Sequence, residues 1–518
     1  MPVASPTRRN LLQLAGGSAL ASALFPVTAR ALTSPDASSE IVGRVLAVGD
    51  MHSAYERTPQ LLAALAAEVR DNPAPHVIAI NGDLFEHGNV VSVRSGGAVD
   101  WAFLEALPRI APTVFNLGNH DNDLTVDLAE VVSRMKSLGL HVVSNIVDVR
   151  TERSYTEPSI EIPFGQRRLS VVGMATASLN TYPKASRETL SIPQASEWAR
   201  SNLADRLAGS DLALIMSHAG VSEDRSVLPL VPDGSIMIGG HNHLLFQHQS
   251  GRTAYAHTGS WTNAYTVAEY LADGSSRAAS KQISADAAAD PALSQLTSAT
   301  LEQHLTDEER QILGVSAQAL SLGETGRQIA LGMAQASGAH LGFMGHTTLG
   351  TGLPAGPVSQ YVFDSIVRFD GRLKKATVTA VQAQTFATMA NQDLPVPFDQ
   401  RAGDFLYATG EYDPGANEVI IVTTDWCAMN QQEYFGTADL AFDDSRPSRD
   451  LLFSRPRDLI FKSAQPLEIG LKIEQGGLKP PICAFRIVNH HINQHARLNE
   501  TCGPMVQQEG FRLDEQVK

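Results

Sequence analysis

Five short pieces of the chain bring carboxylates, amides and imidazoles together at a spacing that can hold metal. They are Asp50-Met51-His52, Gly82-Asp83, Gly118-Asn119-His120-Asp121, Ser217-His218 and Gly240-His241-Asn242-His243. A lone D-x-H tripeptide or single histidine says little, because both are common in solvated loops. The ordered set says more. Asp50, His52, Asp83, Asn119, His218, His241 and His243 are too many donors for one tetrahedral ion and suit two divalent ions that share Asp83. Mixed oxygen and imidazole donors favour Mn2+, Zn2+ or Fe2+ over an all-oxygen calcium or magnesium cage.

The donors need a frame, and the sequence supplies one. Each piece follows a short apolar run, such as Val45-Leu46-Ala47-Val48 before Asp50 or Val77-Ile78-Ala79-Ile80 before Gly82. Such runs read as buried strands, and in open α/β sheets ligands gather outside the carboxyl ends of the strands. Strands are expected at 77–81, 113–116, 169–173, 212–216 and 235–238, alternating with helices. Thr58-Pro59 followed by Gln60 to Val69 reads as a capped helix with proline at its first position. Gly118 and Gly240 are expected to permit tight turns.

The order D-x-H, G-D, G-N-H-D, S-H, G-H-x-H resembles the calcineurin-like metallophosphoesterase superfamily. Within it, Gly118 to Asp123 is similar to the G-N-H-E-F-D box of bacterial 5′-nucleotidases. The resemblance implies an α/β protein: an N-terminal metallophosphoesterase β-sandwich flanked by helices over 41–285, linker helices over 286–320, and a C-terminal α/β 5′-nucleotidase-type substrate domain over 321–518. It places Asp50, His52, Asp83 and His243 around one metal and Asp83, Asn119, His218 and His241 around the other. It also implies a catalytic dyad of His120 and Asp123, acting beside a metal-activated hydroxide that attacks phosphorus. Thr253 to Ser260 resembles the strand and turn that follow the G-H-x-H box, which leaves His257 a structural role.

The second half matches less closely. Nucleotide-cleaving members carry Asn-x-Gly-Gly-Ile-Arg and then Pro-x-Gly, and the Arg helps hold substrate. Aligning on Leu353-Pro354-Ala355-Gly356 puts Gly350 at that Arg, after the box Gly345-His346-Thr347-Thr348-Leu349. Farther on, Asp425-Trp426-Cys427 through Tyr434-Phe435 replaces a Gly-Gly-Asp-Gly-Tyr segment. His346, Tyr434 and Phe435 remain as candidate substrate contacts; stacking on an aromatic ring is worth about 1–3 kcal/mol per base. The resemblance thus implies a periplasmic phosphomonoesterase for a 5′-nucleotide or related small phosphate ester. The alternative is an enzyme like the thiosulfohydrolases of sulfur oxidation, acting on a carrier-bound substrate.

Composition narrows the partners. At 518 residues and 43% hydrophobic content the chain can bury two cores. Its 40 basic against 55 acidic residues, a formal charge of −15, argue against a nucleic-acid polymer, so a small anionic ester needs the local positive charge of metal. Arg8-Arg9 precede an apolar stretch from Leu11 to Val27, and Ala29-Arg30-Ala31 offers a cleavage site. That pattern reads as a Tat signal peptide over 1–31, giving a periplasmic protein without stable membrane insertion. Of three cysteines, Cys483 and Cys502 could pair in an oxidising compartment, leaving Cys427 as a buried thiol.

Overall fold

The computed structural model describes residues 40–368, 372–393 and 395–443. The Arg8-Arg9 leader and the Cys483–Cys502 pair lie outside the described residues, whereas Cys427 is a buried free thiol. No described helix is long and apolar enough to cross a membrane.

The strands that frame the first half are, in chain order, β1 (Ile41–Val48), β2 (His76–Asn81), β3 (Thr113–Asn116), β4 (His141–Val143), β5 (Ser159–Phe164), β6 (Arg167–Ala175), β7 (Leu212–His218), β8 (Ile236–Gly239), β9 (Leu245–Ser250), β10 (Thr253–Thr258), β11 (Ala264–Leu271) and β12 (Ser276–Gln282). They make two six-stranded sheets, ordered β12-β11-β1-β2-β3-β4 and β9-β10-β8-β7-β6-β5. β1, β2, β3 and β4 run parallel, as do β6, β7, β8 and β10, so the donor-bearing strands open toward one end.

Successive side chains of a strand point to opposite faces, which explains why these runs are apolar throughout. Val45 and Ala47 join Val77, Val171, Leu214 and Ile238 in the layer between the sheets. Leu46 and Val48 face the other way, against helical Leu61, Leu65 and Phe103. Val172, Ile215 and Met237 do the same on the second sheet, against Ala199 and Leu203. Burying each large aliphatic side chain contributes roughly 1.5–3 kcal/mol.

Helix α1 (Thr58–Asp71) has its proline in the first turn, but Arg57 precedes it and no side chain caps it. The Thr58 hydroxyl instead donates to the Ala54 carbonyl at 2.6 Å, tying the helix to the loop that follows β1. Beyond β12, α2 (Pro291–His304) is anchored near its end by Arg94, which donates to the His304 carbonyl at 2.6 Å and pairs with Glu309 at 2.7 Å. The segment expected as linker helices is not helical throughout: Ile312–Ser316 is a strand antiparallel to Gly356–Ser359. Its β-branched residues suit an extended backbone.

The second half is built on α3 (Leu322–Ser337), β13 (Leu341–Gly345), β14 (Leu373–Val378), β15 (Leu406–Gly410), β16 (Val419–Thr424) and α4 (Asp425–Met429). Its sheet runs β14-β16-β13-β15. A capping box of Ser321 and Glu324 starts α3, and Gly338 at φ 67° ends it. Ile329 and Met333 of α3 pack with Met344, Tyr407 and Val422 of the sheet.

Candidate metal centre

The donors lie just past strand ends. Asp50 and His52 follow β1, Asp83 follows β2, Asn119 and His120 follow β3, His218 closes β7, and His241 and His243 follow β8. Five of them sit at positive φ: Asp50 at 50°, His52 at 49°, Asp83 at 53°, His241 at 77° and His243 at 57°. Non-glycine residues rarely adopt this region, and the cost of order 1–3 kcal/mol each is met by surrounding structure. That structure is visible in the hydrogen bonds. Asp121 accepts from Gly118 N at 2.6 Å, Leu84 N at 2.9 Å and Asp83 N at 3.2 Å, locking the β2 and β3 loops together. Asn81 donates to the Ser217 carbonyl at 2.9 Å and the Ile238 carbonyl at 3.1 Å, tying one sheet to the other beneath the site.

Gly118 and Gly240 act through space rather than through turns, since neither has positive φ. A Cβ on Gly118 would overlap the Asp83 carboxylate, and one on Gly240 would come within 2.9 Å of His218 Nδ1. Gly82 is the glycine that turns, at φ 77°.

Two donor groups lie side by side, and a third, His52 with Asp83 and His120, overlaps both. Asp50, His52 and His243 bring one donor atom each within 4.8 Å of one another, and so do Asp83, His218 and His241. His218 Nε2 is 3.0 Å from Asp83 Oδ2, while His52 Nε2 is 3.9 Å from that oxygen and 2.9 Å from His243 Nε2. Asn119 Oδ1 lies 2.8 Å from His241 Nδ1, which joins the amide to the second group. All of these residues are at least largely buried. His218 Nε2 has no properly directed hydrogen bond despite its carboxylate neighbour, as expected of a nitrogen aimed at a point between the two. The chemistry of these clusters fits divalent cations.

Electrostatics divide the same residues. Burial, then its neighbour His218, lowers His241 to about 3. Burial also lowers His52 and His243, so three imidazoles are held neutral, the form that binds metal. Burial pushes His218 down as well, but the adjacent Asp83 outweighs it and raises His218 to about 10. In return, His218 and His120 hold Asp83 well below the usual carboxylate range against the effect of burial. Burial raises Asp50 to about 7.

His120 stands beside these groups and lines the cavity above them. Its Nδ1 is 2.8 Å from Asp123 Oδ2, which also accepts from His87 N at 2.9 Å. With Nδ1 engaged, Nε2 is the ring nitrogen left for a reacting group. Burial lowers His120, but Asp123 and Asp83 outweigh it and lift it well above its ordinary value.

Glu86 escaped sequence reasoning. It is buried with Oε2 3.2 Å from His52 Nδ1, and it gathers with His120 and Asp123 in a further potential donor group. Burial alone would raise it, but His52 and His120 hold it at about 2. Its one sequence signal was a position three residues after Asp83. Trp261 and Arg368 had none. The Trp261 ring stacks on His52 at 4.8 Å between centroids, Arg368 lies 4.1 Å over the same indole, and Arg368 Nη2 donates to the His52 carbonyl at 3.3 Å.

The candidate substrate contacts fare differently. Tyr434 and Phe435 are buried in the second core with Phe343 and Phe386 and do not line the cavity. His346 is buried too, stacked on Phe405 at 4.3 Å with Nδ1 3.0 Å from Tyr407 Oη, and it borders a separate cleft behind His243. The cavity of about 450 Å³ above the donors is closed instead by Thr347, Thr348, Asp404, Asp425, Trp426 and Met429. Gly350, aligned with the missing Arg, faces Trp261: a Cβ there would be 2.8 Å from the indole. His257 is structural, 2.8 Å from Tyr255 Oη and 3.2 Å from Asp224.

Residues 43–245 match the calcineurin-like phosphoesterase family. An uncharacterized metallophosphoesterase of Bacillus subtilis (strain 168), YunD, is 21% identical over 209 residues. That match takes in 39% of this chain and 44% of the relative, so it spans less than half of the relative's length. Solved structures share the fold over more of the chain. A 5′-nucleotidase precursor from Thermus thermophilus aligns at a TM-score of 0.55 and 18% identity, covering 84% of this chain and 98% of its own. The sulfate thiohydrolase SoxB from Thermus thermophilus, in complex with glycerol, aligns at 0.57 and 13%, covering 82% and 94%. A 5′-nucleotidase from Candida albicans SC5314 aligns at 0.54 and 11%, covering 82% and 98%.

Proposed function

Because residues 43–245 form a calcineurin-like phosphoesterase domain, we propose that this protein is a dinuclear-metal phosphomonoesterase acting on a 5′-nucleotide or related small phosphate ester. The observation that carries the reading is the pair of neighbouring donor groups, Asp50 with His52 and His243 and Asp83 with His218 and His241, with the His120–Asp123 pair beside them. Asp50, His52, Asp83 and His243 would hold one ion, and Asp83, Asn119, His218 and His241 the other. Two divalent cations there supply positive charge for the phosphate and activate water.

The protein's own groups do the rest. In the net reaction a water oxygen bonds to phosphorus, the ester P–O bond breaks, and a proton reaches the departing alcohol oxygen. His120 Nε2 is the group to donate that proton, and Asp123 holds the ring so that Nε2 faces the cavity. Asp121 and Asn81 keep the loops in register so that donors need not reorganise on binding.

One observation favours a second reading. Gly350 is packed against Trp261, so the space of a nucleotide-holding arginine is filled. A thiosulfohydrolase-like enzyme with a carrier-bound substrate is compatible with that change.

The test is phosphate release by the manganese- or zinc-loaded mature protein from AMP, ATP, sugar phosphates and bis-(p-nitrophenyl) phosphate, with Asp83→Ala as control. Release from monoesters that Asp83→Ala abolishes is expected. Silence on every ester with two metals bound would overturn the reading in favour of the sulfur alternative. We also propose export by the Arg8-Arg9 leader; Arg8→Lys with Arg9→Lys should retain precursor in the cytoplasm, read by fractionation.

A further inference from the structure

The cavity has two walls of opposite chemistry. One is the donor-lined floor, which two cations would make positive. The other comes from the second half of the chain and carries Asp404 and Asp425, Thr347 and Thr348, and the side chains of Trp426 and Met429. No lysine or arginine lines the cavity among the described residues. Trp426 is 42% exposed and Met429 72%, so both side chains are open to a ligand. The indole Nε1 of Trp426 donates to Tyr434 Oη at 3.3 Å, which fixes the ring on the wall.

Asp404 strengthens the pattern. Its Oδ1 is buried without a hydrogen-bond partner among the described residues, while the Thr347 hydroxyl is a neighbour that opposes the effect of burial on the carboxyl. Burial, with Glu433 as a like-charged neighbour, raises its carboxyl to about 7. Glu433 borders the adjoining cleft together with Asp404.

An aromatic face with carboxylates around it is the arrangement that recognises ammonium groups. From the juxtaposition of Asp404, Asp425 and Trp426 opposite the donor floor, we propose that the substrate is a small phosphate monoester whose alcohol half carries a cationic ammonium group. The phosphate meets the metals and the ammonium meets the acidic wall. A cavity of about 450 Å³ has room for such an ester. A nucleoside di- or triphosphate would bring further negative charge against the same carboxylates. This inference rests on the phosphomonoesterase reading for turnover, but not for binding.

The experiment compares phosphocholine with 3,3-dimethylbutyl phosphate, its uncharged isostere, on the metal-loaded mature protein. Both kcat/KM and calorimetric affinity are measured, with p-nitrophenyl phosphate as a general monoester. The expected result is at least a tenfold preference for phosphocholine, falling toward unity in Asp404→Asn with Asp425→Asn. Trp426→Leu, a second and conservative probe of the wall, should reduce the same ratio. Equal handling of the two esters, or a preference unmoved in the folded variants, would overturn the inference while hydrolysis of p-nitrophenyl phosphate left the phosphomonoesterase reading standing. Tighter binding of phosphocholine without hydrolysis of any ester would uphold the inference and remove that reading instead.

Discussion

The floor and the far wall of one cavity are built in contrasting ways. On the floor, each donor sits on or within a few residues of a strand's carboxyl end, and backbone N–H groups donating to the Asp121 carboxylate, with the Asn81 amide donating across the sheets, hold the loops. Five of the donors are held at positive φ, so the conformational cost is concentrated there. The far wall takes Thr347 and Thr348 from after β13, Asp404 from before β15, and Asp425, Trp426 and Met429 from α4. It is partly exposed and leaves one carboxylate oxygen unpartnered. A rigid floor suits a reaction whose charge distribution is fixed.

The contrast predicts that floor substitutions alter metal content or turnover, whereas wall substitutions alter substrate choice. The largest effect is expected at Asp83, the proposed shared donor. Asp83→Ala should lose both ions and fall to background, measured by metal analysis of the purified protein; two retained ions would break the bridging assignment. His120→Asn should keep both ions and lower kcat by about 10²–10⁴-fold, the range of a lost general acid. If metal content fell with it, His120 would belong with the donors. Glu86→Gln should cost about 10–100-fold in metal affinity or activity, as for partners that orient a ligand, because Glu86 faces His52 Nδ1.

The smallest effect concerns a support beneath the floor. Asp100 accepts from Tyr55 Oη at 2.6 Å and Ser92 Oγ at 3.1 Å, and Ser92 meets Ser53, the residue after His52. Burial raises its carboxyl to about 7, above the value near 3.9 expected when unfolded. The folded state therefore binds the extra proton between those values, and the stability this contributes is lost as pH rises through about 7. Between pH 5 and 8 the melting temperature of Asp100→Asn should fall less than that of the wild type, by a few degrees. Identical slopes would show that this carboxyl is already ionised at pH 5.

The frame of the floor was legible because strand and donor are neighbours in sequence. Val45 to Val48 and Asp50, or Leu212 to Ser217 and His218, carry the apolar run and the polar donor within a few positions. The wall was not legible in that way. Tyr434 and Phe435 looked like contact residues but face the second core, while Trp426, a few positions earlier, reaches the cavity. The two sit on successive short helices, Asp425–Met429 and Gln431–Phe435, and type and spacing alone do not resolve how these pack against the sheet. Glu86 was hidden for a related reason: a carboxylate three residues after a donor is ordinary until the loop folds it against His52.

By itself, the sequence determined the strand-end positions of the candidate donors and the sheets that present them, because strand periodicity and the polar residues ending each run are short-range features. It also determined that residue 350 is a glycine. Only the tertiary structure decided that Trp261 fills the space beside that glycine, that Arg368 lies over the indole, and that Asp404, Asp425 and Trp426 share one wall. Those neighbours are far apart in the chain, and packing of the two halves, rather than any local pattern, sets which of them meet.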